Sequence, residues 1–130
     1  MTEEIHKTVP VQVLVAVDER IAPLVAQLQR IPDMRTYYSC QGRVGAYRPY
    51  VGVGWLNNDA VVMLCKLLAD WHDSKGGQYV TDIENPYTAT LDDFRAHTNS
   101  ATLHVHWEYL APFTEFVTRW LDEHLIVLTI

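Results

Sequence analysis

Twelve residues, Met34 to Gly45 (M-R-T-Y-Y-S-C-Q-G-R-V-G), hold a thiol, a serine, two tyrosines, two glycines and two arginines. A cysteine at a strand end, beside glycines and flanked by Arg35 and Arg43, has surroundings that favour its thiolate, so Cys40 is a candidate nucleophile. A nucleophile needs a base within hydrogen-bond reach, and the six histidines supply candidates. Gly42 and Gly45 permit positive φ and a close backbone approach by a ligand. A turn of this kind can aim successive N–H groups at an anion. The expected ligand-binding set is Arg35, Tyr37, Ser39, Gln41, Gly42, Arg43, Gly45 and Arg48.

Charge supports an anionic ligand. The chain carries a formal net charge of −6, yet the window from Arg30 to Arg48 holds four arginines (Arg30, Arg35, Arg43, Arg48) against one acid, Asp33. A protein that binds phosphates along a polymer needs a basic face, so general nucleic-acid binding is excluded. A small anion fits the pattern better than a long polyanion. Tyr37, Tyr38, Tyr47, Tyr50 and Trp55 lie in or beside the same window. Aromatic rings interleaved with arginines suit stacking on a base together with a phosphate contact. Tyr37 and Tyr38 are adjacent in a strand, which predicts opposite faces and at most one of them in a given pocket.

A second cluster is H-x-H-x-E, His104, His106 and Glu108. On a strand these share one face, with neighbours about 7 Å apart and the ends about 13 Å apart. Three ligands on one straight strand make poor metal geometry, so a metal would need His104 and His106 plus a ligand from elsewhere. No metal is assigned, and no cofactor is identified from the residues.

The elements that must position these groups follow from periodicity. Valines at 9, 11, 13, 15 and 17 predict a first strand, with Asp18 as the N-cap of a helix carrying Ile21, Leu24, Val25, Leu28 and Ile31. Pro23 suits the first turn and Pro32 ends the helix. Arg35 to Ser39 or Cys40 reads as a second strand and Tyr50 to Trp55 as a third. In the third, Val51 and Val53 face one side, while Gly52 and Gly54 leave the other bare for a ligand, a crossing chain, a bulge or tight packing. Asn57, Asn58 and Asp59 cap a second helix with Val61, Leu64, Cys65, Leu68 and Trp71 or His72 on its apolar face, which places Cys65 in the core. Further strands are expected over Gln78 to Glu84, Tyr87 to Leu91, Ala101 to Tyr109 and Leu125 to Ile130. Asp92 to Ser100 reads as a loop. A third helix opens at Pro112 and buries Phe113, Phe116, Val117, Trp120 and Leu121. The order β-α-β-β-α-β-β-β-α-β predicts one α+β domain over residues 1–130, a mixed sheet with about three helices.

Two cysteines make no disulfide framework, and no apolar run reaches the roughly 20 residues of a membrane helix. The N-terminus lacks a basic region followed by an apolar run, so no signal peptide is read there and the cytoplasm is the expected location. The H-x-H face, the terminal strand and the glycine-bare strand could each serve as a subunit contact, giving a homodimer or higher oligomer.

Two resemblances attach to the opening stretch. T-Y-Y-S-C-Q-G-R, through Thr36, Ser39, Cys40, Gly42 and Arg43, resembles the T-x-x-S-C-x-G-R segment of the wybutosine-synthesis methyltransferase-like family. That family modifies a guanosine in transfer RNA, so the resemblance implies S-adenosylmethionine as cofactor. The longer pattern I-A-P-L-V, then T-Y-Y-S-C-Q-G and Y-V-G-V, resembles small uncharacterised proteins of bacteriophages and actinobacteria, which implies a phage or mobile-element origin. Three functions follow as expectations. One is a protein binding a small anionic, nucleotide-like molecule, a host signal sequestered by a phage protein. Another is a protein-interaction module that inhibits a host factor. The third is a Cys40-dependent or S-adenosylmethionine-dependent transferase, so enzymatic activity stays open.

Overall fold

Valine and glycine alternate from Tyr50 to Trp55, and folding sorts them onto two different faces. Val51 and Val53 are fully buried in a core shared with three helices. Gly52 and Gly54 lie on the opposite face. The computed structural model describes residues 16–75 and 89–125. In chain order it contains α1 (Ala22–Leu28), β1 (Met34–Cys40), β2 (Tyr50–Trp55), α2 (Asn58–Ser74), β3 (Ala89–Arg95), β4 (Ser100–Val105), a 3-10 turn (Trp107–Tyr109) and α3 (Leu110–Leu125). The four strands form one sheet in the order β1-β2-β4-β3. Every pairing is antiparallel, so the described sheet is antiparallel where a mixed sheet was expected. The chain is a single α+β domain.

The helices gather on one face of this sheet. Leu24 and Leu28 of α1, Leu64, Leu67 and Trp71 of α2, and Phe113, Val117 and Leu121 of α3 share one core with Val51, Val53, Leu103 and Val105. Burying each such side chain contributes about 1.5–3 kcal/mol, so this face dominates stability. The α2 start is fixed by Asn57, whose side chain accepts from the Ala60 N–H at 3.2 Å. Asp33 clamps the same corner by accepting from Asn57 Nδ2 at 2.7 Å.

Several expectations change. Asp18 is not the side-chain cap of α1. Ile21 holds the N-cap position without a side-chain bond, and Pro23 does fall in the first turn. Cys65 is exposed rather than in the core. At 3.6 residues per turn it sits well outside the stripe of Ala60, Leu64, Leu67, Leu68 and Trp71 that faces inward. Partial desolvation still pushes its thiol pKa up. The expected loop from Asp92 to Ser100 is instead mostly strand. β3 continues to Arg95, and a turn with Asn99 at φ 50° leads directly into β4. β4 ends at Val105, because His106 turns the chain and caps the 3-10 turn by accepting from the Glu108 N–H at 3.2 Å. Of the first strand, expected over Val9 to Val17, the residues up to Val15 lie outside the described residues and Ala16 and Val17 are not in a strand. The strand expected over Gln78 to Glu84 and the stretch from Ile126 to Ile130 also lie outside the described residues, while Leu125 belongs to α3.

Candidate functional site

Between two fixed points of register, β1 carries one residue more than β2. Thr36 lies opposite Val53 and Ser39 opposite Val51, leaving Tyr37 and Tyr38 together against Gly52. A bulge of this kind suspends the alternation of side chains. Tyr37 and Tyr38 therefore share the face away from the helices, which corrects the expectation that they point apart. The Tyr38 ring occupies the space a Cβ would take on Gly52, with two ring carbons 2.5 Å from that position. The Tyr37 ring does the same over Gly54. The bare side of β2 is thus filled by two aromatic rings of the neighbouring strand. Their other sides stay in solvent, at 59% exposure for Tyr37 and 54% for Tyr38.

The rest of this open face is polar and aromatic. The Tyr38 hydroxyl is 2.7 Å from the hydroxyl of Thr102, a buried polar side chain on β4. That bond fixes the ring and satisfies Thr102. Tyr50 meets Tyr38 edge-on, with ring centroids 6.1 Å apart, and meets His104 at 6.0 Å. His104 Nε2 lies 3.6 Å from the Asp92 carboxylate on β3. Arg35 stands opposite Gly54 in the register, two positions before Tyr37. It is exposed, and among the described residues its guanidinium has neither a hydrogen bond nor an ion pair.

Cys40 lies opposite Tyr50, at the far end of the face from Arg35. The phenols of Tyr47 and Tyr50 lie beside its thiol. Cys40 pushes the Tyr47 pKa up. Burial does so first for Tyr50, with Cys40 adding to it. His104, the histidine of this face, is one strand further on, paired with Tyr50 rather than Cys40. Its Cα is therefore about 10 Å from that of Cys40, with the Tyr50 ring between them. The groups that meet the thiol are phenols, which serve poorly as general bases near neutral pH because their ordinary pKa is about 10.

Part of the glycine turn is committed to the protein's own groups. The Gln41 N–H donates to the Asp18 carboxylate at 3.0 Å, so an acid of the chain already holds that position. Gln41 Oε1 accepts from the Arg20 N–H at 3.1 Å. The Arg43 N–H donates to the Tyr47 carbonyl at 2.9 Å, and the Ala46 and Tyr47 N–H groups donate to the Arg43 carbonyl. Gly42 has φ +76°, and a Cβ there would lie 2.6 Å from the Pro49 nitrogen. It is required by backbone packing. Gly45, at φ +81°, serves the hairpin tip.

The expected ligand set thus divides. Arg35 and Tyr37 share the open face with Tyr38. Ser39 stands opposite the buried Val51 and so faces the helix side. It lines a cleft of about 650 Å³ between α1 and β1 with Val25, Gln29 and Thr36, a cleft that Tyr37 and Tyr38 also border. Gln41, Gly42, Arg43 and Gly45 build the hairpin end, where Arg43 is exposed. Arg48 is half-buried and engaged. Arg30 is committed elsewhere, to Asp122 at 2.6 Å and Gln27 at 2.7 Å. His104 and His106 do not share a strand face, since His106 lies beyond β4 and stacks on Trp107. Among the described residues no group of three or more His, Cys, Asp or Glu is placed to hold a metal.

No family model, no curated protein and no solved structure matches this chain. The site must therefore be read from its own chemistry. Sequence reasoning missed the pairing of Tyr37 with Gly54 and of Tyr38 with Gly52, along with Thr102 and Asp92. The signal was present as two adjacent tyrosines before a Gly-x-Gly strand, but a bulge has to be known before that pattern becomes a shared face. Among the described residues no helix is long and apolar enough to cross a membrane.

Proposed function

We propose that this protein binds a small anionic, nucleotide-like molecule on the open face of its sheet. The observation that carries this reading is the pair of half-exposed tyrosine rings seated on glycines beside an unpaired arginine. A base stacks on a tyrosine ring, contributing about 1–3 kcal/mol per base, and Arg35 meets the phosphate. This relocates the anion contact from the glycine turn, where the Gln41, Arg43, Ala46 and Tyr47 N–H groups already have acceptors within the chain, to the Arg35 end of β1. Sequestration of a host nucleotide signal by a phage-encoded protein is the biological setting we propose for such binding.

Thermal shift against a panel of linear and cyclic nucleotides at millimolar concentration tests the reading. A ligand at a hundred times its Kd stabilises the fold by about 2.7 kcal/mol. For a domain of this size that is a rise on the order of 10 °C. Stabilisation that disappears in the Tyr37→Ala/Tyr38→Ala double variant is the expected result. No shift with any nucleotide overturns it.

A second reading, a module that inhibits a host protein, draws on the hairpin tip. There Val44 and Tyr47 project with 66% and 50% exposure. Ligand-independent capture of a host protein, lost on Val44→Asp, would favour it over nucleotide binding. A Cys40-dependent transferase has the least support, because the thiol meets phenols rather than a base.

A further inference from the structure

We infer that the open face takes two bases at once, so that its ligand is a dinucleotide; the inference rests on the nucleotide-binding reading above and specifies it. The two rings are separate platforms. Tyr37 sits on Gly54 and Tyr38 on Gly52, each with its own glycine beneath it. Those glycines are two residues apart on one strand, about 6.8 Å along it. Stacked bases in a duplex rise about 3.4 Å per step. Platforms at twice that spacing do not suit a stacked pair, and they suit two bases splayed apart with one ring each, the usual posture of single-stranded nucleotides on a protein sheet.

The ends of the row set its length. At one end Arg35 shares the face with Tyr37, where a phosphate meets its guanidinium. Towards β4 and β3, the face beyond Tyr38 is filled by Tyr50 edge-on and then by His104 with the Asp92 carboxylate. A longer strand would run its phosphates toward that carboxylate, on a protein of net charge −6. Arg35 is joined at this end of the sheet by Arg95 of β3, which is exposed and stands opposite Ser100, itself opposite Gly54, so two rings with their cations at one end match one internucleotide linkage and a terminal phosphate. The Tyr38 ring is held by Thr102 at 2.7 Å, so its platform exists before the ligand arrives and little ordering cost is added on binding.

Calorimetry on the full chain compares the 5′-phosphorylated dinucleotide pApA, the charge-matched single-base ligand ADP, and an oligoadenylate of about ten nucleotides. The expected result is pApA binding about tenfold or more tighter than ADP. Tyr37→Ala and Tyr38→Ala should each bring pApA to the ADP level while ADP binding persists. Tyr37→Phe, which keeps the ring, should retain the pApA preference, and a melting curve for each variant confirms that it is folded. If pApA and ADP bind wild type equally, or if either alanine variant keeps the preference, the two-base inference falls while nucleotide binding stands. If the oligoadenylate binds tighter than pApA, the site is a strand-binding face and the inference also falls. If none of the three binds, it falls together with the reading beneath it.

Discussion

The two faces of the sheet come from the same strands and obey opposite rules. On the helix side, Val51, Val53 and Leu103 are fully buried and share one core with Leu64, Phe113 and Leu121. On the other side Tyr37 and Tyr38 are more than half exposed, and a bulge, two glycines and one hydroxyl pair hold them. Burial is non-directional and roughly proportional to area, so the first face carries stability. Register and hydrogen bonding are directional and contribute little area, so the second face carries geometry. A domain divided this way can change its open face chemically without unfolding.

The strongest attempt to break the comparison is a cavity on the covered face. Phe113 is fully buried and meets Trp71 edge-on at 5.2 Å. Phe113→Ala should cost about 3–5 kcal/mol in urea unfolding. Tyr37→Ala on the open face should cost well under half of that, because the ring is mostly in solvent. Equal losses would show that the open face is as much a part of the core as the covered one.

Next in size is Gly42→Ala, which tests whether the turn is a structural joint. The new Cβ meets backbone at 2.6–2.8 Å, which cannot swing aside as a side chain can. With the positive φ the expected loss is about 3 kcal/mol. Gly45→Ala has the same sign of φ but nothing within 4 Å of its Cβ, so it should cost about 1 kcal/mol. A reversed order would mean that the tip, rather than the Gly42 contact with Arg48 and Pro49, anchors the hairpin.

What was legible in the sequence follows the same division. The covered face was readable because burial leaves a period. Tyr50 to Trp55, the α2 cap at Asn57 and the stripe Phe113, Val117, Trp120 and Leu121 all stand where spacing put them. The open face was partly readable. Arg35 and Tyr37 were named, but the period of two that places strand side chains failed at the one point where a residue is inserted. Cys65 was misplaced because free cysteine resembles a small hydrophobe, and its helix already had enough larger ones to cover the core. Asp92 to Ser100 read as a loop because polar strands on an open face look like loops when only polarity is counted. The bonds that hold Gln41 at the start of the glycine turn come from Asp18 and Arg20, too far along the chain for local spacing to indicate.

A smaller effect isolates the bond that fixes the Tyr38 platform. Tyr38→Phe removes the partner of the buried Thr102 hydroxyl and should cost about 1–2 kcal/mol. Thr102→Val removes the other partner and leaves an exposed phenol that water can satisfy, so its cost should be smaller. The double variant should cost less than the sum of the two, and a double-mutant cycle in urea measures that coupling. A coupling of zero would mean that the glycine seat alone holds the ring, and the open face would then owe its geometry to register rather than to hydrogen bonding.

The smallest expected effect is a pH dependence, and it belongs to the covered side. His72 on α2 accepts from the Ala89 N–H through Nε2 at 3.3 Å, so its neutral form joins that helix to the start of β3. Desolvation lowers its pKa below the ordinary 6.5, although Asp73 nearby acts in the opposite direction. As pH falls, the unfolded chain then binds the His72 proton before the folded one does. The stability this group contributes is present above pH 6.5, declines below it, and is fully lost once pH passes the lower folded value. His72→Gln keeps an acceptor for Ala89 and cannot titrate. Urea midpoints of the two proteins, compared between about pH 7.5 and 5, should diverge only in the lower half, with wild type falling faster. Parallel curves would mean that the proton enters without disturbing the Ala89 bond, and the α2–β3 joint would then rest on apolar packing alone.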